Sequence, residues 1–226
     1  MNLGGEGLAC ARGERQIFAG LNFTLGPGEL LLARGANGSG KSSFLRVVAG
    51  LLHPSAGTLR LNGSVLLPGA ALLSPHVIYI GHQDPVKPSF SVEENLLFWM
   101  GMAGHAVDYR RGGQGGLREV ARSGRVEAAL EAFGLAGLGQ IPARFLSAGQ
   151  KRRLNLARLA AIDRPLWLLD EPATSLDSAA QELLAASMRR HRQQGGLIIA
   201  VSHTDLGEDV THLLNFGPQH RMEHMA

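Results

Sequence analysis

Eight residues near the start of the chain, Gly35-Ala36-Asn37-Gly38-Ser39-Gly40-Lys41-Ser42, constrain its fold more than any other stretch. They satisfy the spacing G-x-x-x-x-G-K-[ST] in full. The flanks fit as well. Glu29 to Ala33 reads as a short apolar strand, and Phe44, Val47, Val48 and Leu51 recur at i, i+3, i+4 and i+7 as one helix face. Between a strand and a helix, such a loop curls its backbone N–H groups around a phosphate chain, and the helix N-terminus adds a favourable dipole. Lys41 then reaches the β and γ phosphates, the Ser42 hydroxyl suits Mg²⁺, and Ser43 follows in the first helical turn. Gly35 through Ser43 are therefore the expected nucleotide-binding residues.

Composition narrows what surrounds this loop. The chain has 226 residues, 45% of them hydrophobic and 18% charged, enough apolar material for one full core and a smaller lobe. Its 30 glycines follow no Gly-X-Y period, which excludes collagen. No run of 18 apolar residues reads as a membrane span, and the N-terminus has no basic-then-apolar leader, so the expectation is a chain that stays in the cytosol. The single cysteine, Cys10, fits a reducing compartment. The net charge of +3 allows an anionic partner, yet no run of five like charges forms an arm for nucleic acid.

The remaining pattern predicts an α/β fold. Ile17 to Leu32, with the turn Gly26-Pro27-Gly28, reads as a hairpin, and Gly57 to Leu67 as a strand pair around Asn62-Gly63. Val77–Ile80, Pro165–Leu169 and Leu197–Val201 are short and almost wholly apolar, as central parallel strands are. Ser91 and Glu94 mark a capping box before Leu96. Val126 to Phe133 and Leu146 to Ala161 read as helices, and Gly101 to Gly124 as a flexible loop rich in Gly and Arg. The expectation is a single domain over 1–226: a phosphate-binding α/β core with a helical lobe at about 90–160.

Two further segments carry chemistry. Leu166-Trp167-Leu168-Leu169-Asp170-Glu171 is an apolar strand that ends in two carboxylates, where parallel strands open onto a ligand crevice. Asp170 there holds Mg²⁺, and Glu171 polarises an attacking water as general base. Leu146-Ser147-Ala148-Gly149-Gln150 opens a helix with a hydroxyl and free N–H groups, a second surface for phosphate.

Taken in order, these segments resemble the ATP-binding cassette (ABC) ATPases, and the resemblance spans essentially the whole chain. It implies a P-loop NTPase core of ABC ATPase type with a β-subdomain and an inserted helical subdomain. Ser147, Gly149 and Gln150 correspond to the signature motif, and Ser175-Leu176-Asp177 to the D-loop. Gln83 corresponds to the Q-loop, joining Ser42 and Asp170 at the metal and linking the site to a partner, and His203 to the switch histidine beside the γ-phosphate. With Glu171, His203 and Gln83 are the expected catalytic set. The resemblance further implies ATP and Mg²⁺ as cofactors, a homodimer with ATP between the P-loop of one copy and the signature of the other, and integral membrane subunits as partners. Two departures stand out. The family's adenine-stacking aromatic is replaced near Arg12, whose guanidinium can stack on a base, and Ala148 stands where glycine is commoner.

Within the family, Tyr79-Ile80-Gly81-His82-Gln83, Glu94-Asn95-Leu96, Arg144-Phe145-Leu146 and the opening Cys10-Ala11-Arg12-Gly13-Glu14-Arg15 are similar to the haem-exporter ATPases of bacterial cytochrome c maturation. That implies a peripheral subunit on the cytoplasmic side of the bacterial inner membrane. The alternatives are the ATPase of another small exporter and a soluble ABC ATPase outside transport. The translation class usually carries two cassettes, and the repair class inserts coiled coils or zinc modules. This chain has one cassette, no heptad run and no cysteine cluster.

Overall fold

The computed structural model describes residues 1–66, 75–104, 124–217 and 221–225. Most of the predicted loop Gly101–Gly124, and the end of the predicted strand at Leu67, lie outside them. The chain divides into two compact units. The first comprises Met1–Gly81, Arg164–Pro172 and Met188–Ala226, and the second His82–Asp163 and Ala173–Ser187.

In the first unit, β1 (Leu3–Arg12), β2 (Arg15–Leu25), β4 (Ala56–Leu61) and β5 (Ser64–Leu66) form an antiparallel sheet in the order β2-β1-β4-β5. The turn between β4 and β5 is the one the sequence predicts. Leu61 pairs with Ser64, and Asn62 and Gly63 both adopt positive φ, 50° and 83°, as a two-residue hairpin turn requires. The predicted hairpin across Gly26-Pro27-Gly28 does not form. Here β2 pairs instead with β1 through a tight turn at Gly13-Glu14, while the strand after Gly28 joins a different sheet. The physical reason is the partner available. The Gly28 N–H donates to the Gly196 carbonyl, starting a parallel alignment that leaves no antiparallel partner for β2 on that side.

That second sheet also contains β3 (Leu30–Gly35), β6 (Val77–Ile80), β7 (Leu166–Asp170), β8 (Leu197–Val201), β9 (His212–Phe216) and β10 (Arg221–His224), in the order β10-β9-β3-β8-β7-β6. All pairings except β9 with β10 are parallel. Every residue of β7 and β8 is buried, which explains their unbroken apolar sequences. The C-terminal ends of β3, β7 and β8 therefore lie along one edge of the sheet.

The helix α1 (Lys41–Val48) packs under the loop after β3. Phe44, wholly buried, meets Phe23 edge-on at 5.4 Å and Phe18 at 6.3 Å, and Phe216 lies 5.7 Å away. This aromatic cluster gives the phosphate-type loop a rigid floor. The predicted helical face overruns by one position. Gly50 turns left-handed at φ 71°, α1 stops, and Leu51 is left exposed.

The second unit is helical. It contains α2 (Val92–Met102), α3 (Arg125–Ala132), α4 (Ala148–Ala161) and the first part of α5 (Ser178–Gln193). The Ser91 hydroxyl accepts from the Glu94 N–H, and the Glu94 carboxylate accepts from the Ser91 N–H, so the capping box read from sequence is closed. α3 ends at Gly134, φ 63°. No helix among the described residues is long and apolar enough to cross a membrane.

Candidate nucleotide site

The loop after β3 owes its shape to its glycines. Gly35 has φ 151°, and a Cβ there would stand 2.5 Å from the Phe216 carbonyl oxygen of the adjacent strand β9. Gly40, φ 108°, would drive a Cβ to 2.7 Å from Ile17 Cγ2. Both positions thus exclude side chains on steric grounds as well as by backbone conformation. Gly40 is also the N-cap of α1 and offers no side chain, and the first turn carries no acidic residue. In contrast with α2, this helix start leaves its N–H groups for an outside anion.

Lys41 is buried, and its ammonium donates to the Gly35 and Ala36 carbonyl oxygens at 2.7 and 2.9 Å. These are contacts within its own loop, which a phosphate competes for with a full negative charge. Ala36, Asn37 and Gly38 are exposed, and Ser43 is half-buried on α1. Ser39 Oγ is buried with no hydrogen-bond partner, an orphan hydroxyl in a loop built of donors.

The Ser42 hydroxyl donates to Asp170 Oδ1 at 3.1 Å. Asp170 is the last residue of β7 and only 3% exposed. A hydroxyl oxygen and a carboxylate oxygen converging in this way are hard donors of the kind Mg²⁺ takes, and the residues present fit that ion. Asp170 Oδ2 meets a group that motif reasoning did not assign, the Tyr79 hydroxyl at 3.3 Å. Burial, then the neighbouring Asp170 charge, push the Tyr79 phenol above its ordinary range, and Arg46 opposes them only in part.

Glu171 follows directly and is one of three described non-glycine residues at positive φ, 48°. Its N–H donates to the Val201 carbonyl at the end of β8, which fixes the bend at the end of β7. Its side chain faces His203. Oε2 accepts from the His203 N–H at 3.3 Å, and Oε1 lies 3.4 Å from Nε2 of the ring. A left-handed glutamate is a strained placement that neighbouring structure must hold, and such placements cluster at functional sites.

The first unit therefore gathers Gly35–Ser43, Asp170, Glu171 and His203. Arg12 belongs to the same unit, exposed at the end of β1 opposite Arg15.

The second unit holds the remaining candidates. Ser147 caps α4 in a box of its own. Its hydroxyl accepts from the Gln150 N–H at 3.2 Å, and Gln150 Oε1 accepts from the Ser147 N–H at 2.8 Å. A Cβ at Gly149 would sit 3.5 Å from the Ser175 carbonyl oxygen, an ordinary contact, so the fold itself does not demand glycine there. Ala148 continues the helix with φ in the usual negative range. The Asp177 carboxylate is occupied at the start of α5, accepting from the Ala180 N–H at 2.8 Å. Gln83 is exposed on the segment after β6, next to Asp84, whose carboxylate takes hydrogen bonds from Arg152 and Asn155 at 2.9 Å.

Residues 18–174 match the ABC transporter family. A protein of Paramagnetospirillum magneticum named cytochrome c biogenesis ATP-binding export protein CcmA is 47% identical over 215 residues, 93% of each chain. Proteins of the same name from Rhodospirillum rubrum and Bradyrhizobium diazoefficiens are each 46% identical, covering 95% and 92% of this chain and 86% and 95% of their own. Among solved structures, a dimeric post-hydrolysis ATP-binding cassette bound to ADP and Pi superposes with a TM-score of 0.80 at 20% identity, over 98% of both chains. The ADP conformation of another ABC transporter cassette gives 0.77 at 21%, over 96% of this chain and 87% of the other. These two likenesses concern the fold. Fold, loop geometry and relatives agree: the chain belongs to the ABC transporter family of ATP-binding cassettes and, within it, to the cytochrome c biogenesis ATP-binding export proteins.

Proposed function

We propose that this chain binds and hydrolyses ATP to drive a membrane transporter that delivers haem for cytochrome c assembly. The observation that carries the reading is the convergence of Lys41, Ser42, Asp170, Glu171 and His203 at the C-terminal edge of one parallel sheet, beside a loop whose N–H groups are left for an anion. The relatives' printed names support export and cytochrome c biogenesis. Haem as cargo rests on the resemblance of the quoted segments.

The chain's own groups divide the work. The backbone of Gly35–Gly40 cradles the phosphates, and Lys41 leaves its loop carbonyls for the β and γ phosphates. Ser42 and Asp170 would hold Mg²⁺, and Gln83 enters the metal set only on the resemblance. When bound, the ion would supply neutralisation of phosphate charge. Glu171 takes the proton from the attacking water, and His203 positions that carboxylate and reaches the γ-phosphate. Ser147, Gly149 and Gln150 of a second copy complete the site, so that a pair of cassettes closes on ATP and opens after hydrolysis. A fold relative was solved as a dimer with ADP and Pi bound, which supports the pairing of two cassettes. Arg12 stacks on the adenine, and Asp177 lines the closed pair.

The partners are integral membrane subunits, with this chain peripheral on the cytoplasmic side of the inner membrane. Purification of the tagged chain from intact membranes tests this. Co-purified cytochrome c maturation membrane proteins are the expected result, and a cytosolic pool with no membrane partner overturns it.

A further inference from the structure

Both oxygens of the Asp170 carboxylate meet hydroxyl groups of this chain. Oδ1 accepts from Ser42, which belongs to the phosphate loop, and Oδ2 faces the Tyr79 hydroxyl at 3.3 Å. The chemistry assigned above uses Ser42 and makes no use of Tyr79.

The position of Tyr79 is a consequence of sheet register. β6 pairs in parallel with β7, and Tyr79 stands opposite Leu168, two residues before Asp170. Residues i and i+2 of a strand share a face, so Tyr79 and Leu168 share theirs with Asp170. A long side chain at Tyr79 therefore extends along β7 to the carboxylate at its end. A phenylalanine would reach equally far but bring no donor.

A carboxylate oxygen only accepts, so the phenol proton is directed at Asp170 Oδ2. Ser42 and Tyr79 thus hold the two oxygens of Asp170 between them. A carboxylate gripped at both oxygens cannot swing about its terminal torsion, which is otherwise broad. Asp170 is also almost wholly buried, so water cannot readily replace a lost donor.

We propose that Tyr79 is a positioning residue that holds the Asp170 carboxylate ready for Mg²⁺. The proposal rests on the assignment of Asp170 to the metal. It predicts that the phenol hydroxyl matters to Mg²⁺ and not to nucleotide binding without metal.

The test compares the full-length parent, Tyr79→Phe and Asp170→Asn by fluorescence titration with a mant-labelled ATP. Each is titrated in EDTA and across Mg²⁺ concentrations, and each is melted without ligand. For Tyr79→Phe, the Mg²⁺ concentration giving half of the metal-dependent signal rises about 3- to 10-fold. Its affinity in EDTA stays within two-fold of the parent. Asp170→Asn abolishes the Mg²⁺ dependence. If Asp170→Asn still responds to Mg²⁺ like the parent, the metal assignment fails and the proposal with it. If Asp170→Asn loses the response while Tyr79→Phe titrates like the parent, the metal assignment stands and the role of Tyr79 is overturned. Equal losses in EDTA and in Mg²⁺, with a lowered melting temperature, make Tyr79 a packing residue and also overturn it.

Discussion

Glu171 Oε1 lies 3.4 Å from His203 Nε2, and Oε2 takes the His203 backbone N–H at 3.3 Å, so one residue addresses both carboxylate oxygens of the other. The pair is held from behind by the Glu171 N–H on the Val201 carbonyl. Glu171→Gln keeps the shape and removes the base. Steady-state ATPase activity is expected to fall about 100-fold or more, while ATP binding persists and a nucleotide-bound dimer accumulates on size exclusion. Activity near that of the parent contradicts the assignment. His203→Ala removes the ring contact and keeps the backbone N–H on Oε2, and a partial loss is expected in the same assay.

The ammonium of Lys41 is spent on its own loop, at 2.7 and 2.9 Å from two carbonyl oxygens. Lys41→Ala removes both those contacts and the cation that phosphates would recruit. Filter-binding or fluorescence titration should show ATP affinity lowered at least about ten-fold, in line with loss of a charge-assisted bond. Unchanged affinity would exclude the residue from phosphate binding.

Two capping boxes of the same design allow a comparison that separates folding from function. Ser91 caps α2 and Ser147 caps α4, each with its partner three residues on. Serine-to-alanine at either cap should cost about 1 kcal/mol in urea unfolding. Only Ser147→Ala is expected to lower ATPase activity at temperatures where both variants are fully folded. Equal activity of the two would reduce Ser147 to a cap.

The Glu29 carboxylate gives the first unit an acid sensitivity. Burial works to raise its pKa, but the Gly26 N–H at 2.6 Å and the hydrogen bond and charge of His212 outweigh it, and the net shift is downward. A carboxyl lowered in the folded state stabilises above its ordinary range, and that stability is lost as pH falls through the folded value. His212→Phe should therefore lower the melting temperature near neutrality and bring it closer to the parent's at pH 3. Parallel melting curves across this range would remove the pair from the acid response.

How much of this was legible beforehand depended on whether a feature is local. The phosphate loop, the Asn62-Gly63 turn and both capping boxes are decided by residues a few positions apart, and the structure has each where its spacing placed it. The hairpin expected at Gly26–Gly28 does not form because its turn residues are compatible with several exits. The choice was made by Gly196, far along the chain. β1 escaped notice because its alternation breaks at a bulge, where Gly7 adopts φ 57° beside Gly57. In the sequence Tyr79 is one residue of the strand Val77–Ile80 and of the segment Tyr79–Gln83, with no chemistry attached to it. What it touches follows from parallel register with β7, which no local pattern encodes. The Glu171–His203 contact was hidden for the same reason, since it needs β7 and β8 side by side.

The close fit of Gly35 beneath the Phe216 carbonyl has a consequence for biosynthesis. The loop that receives nucleotide leaves the ribosome well before the strand that presses on it. Nascent chains short of β9 carry every residue of the phosphate motif without the wall that shapes it, and Phe44 without one of its aromatic neighbours. The loop therefore takes its finished shape only once β9 has been made and laid beside β3.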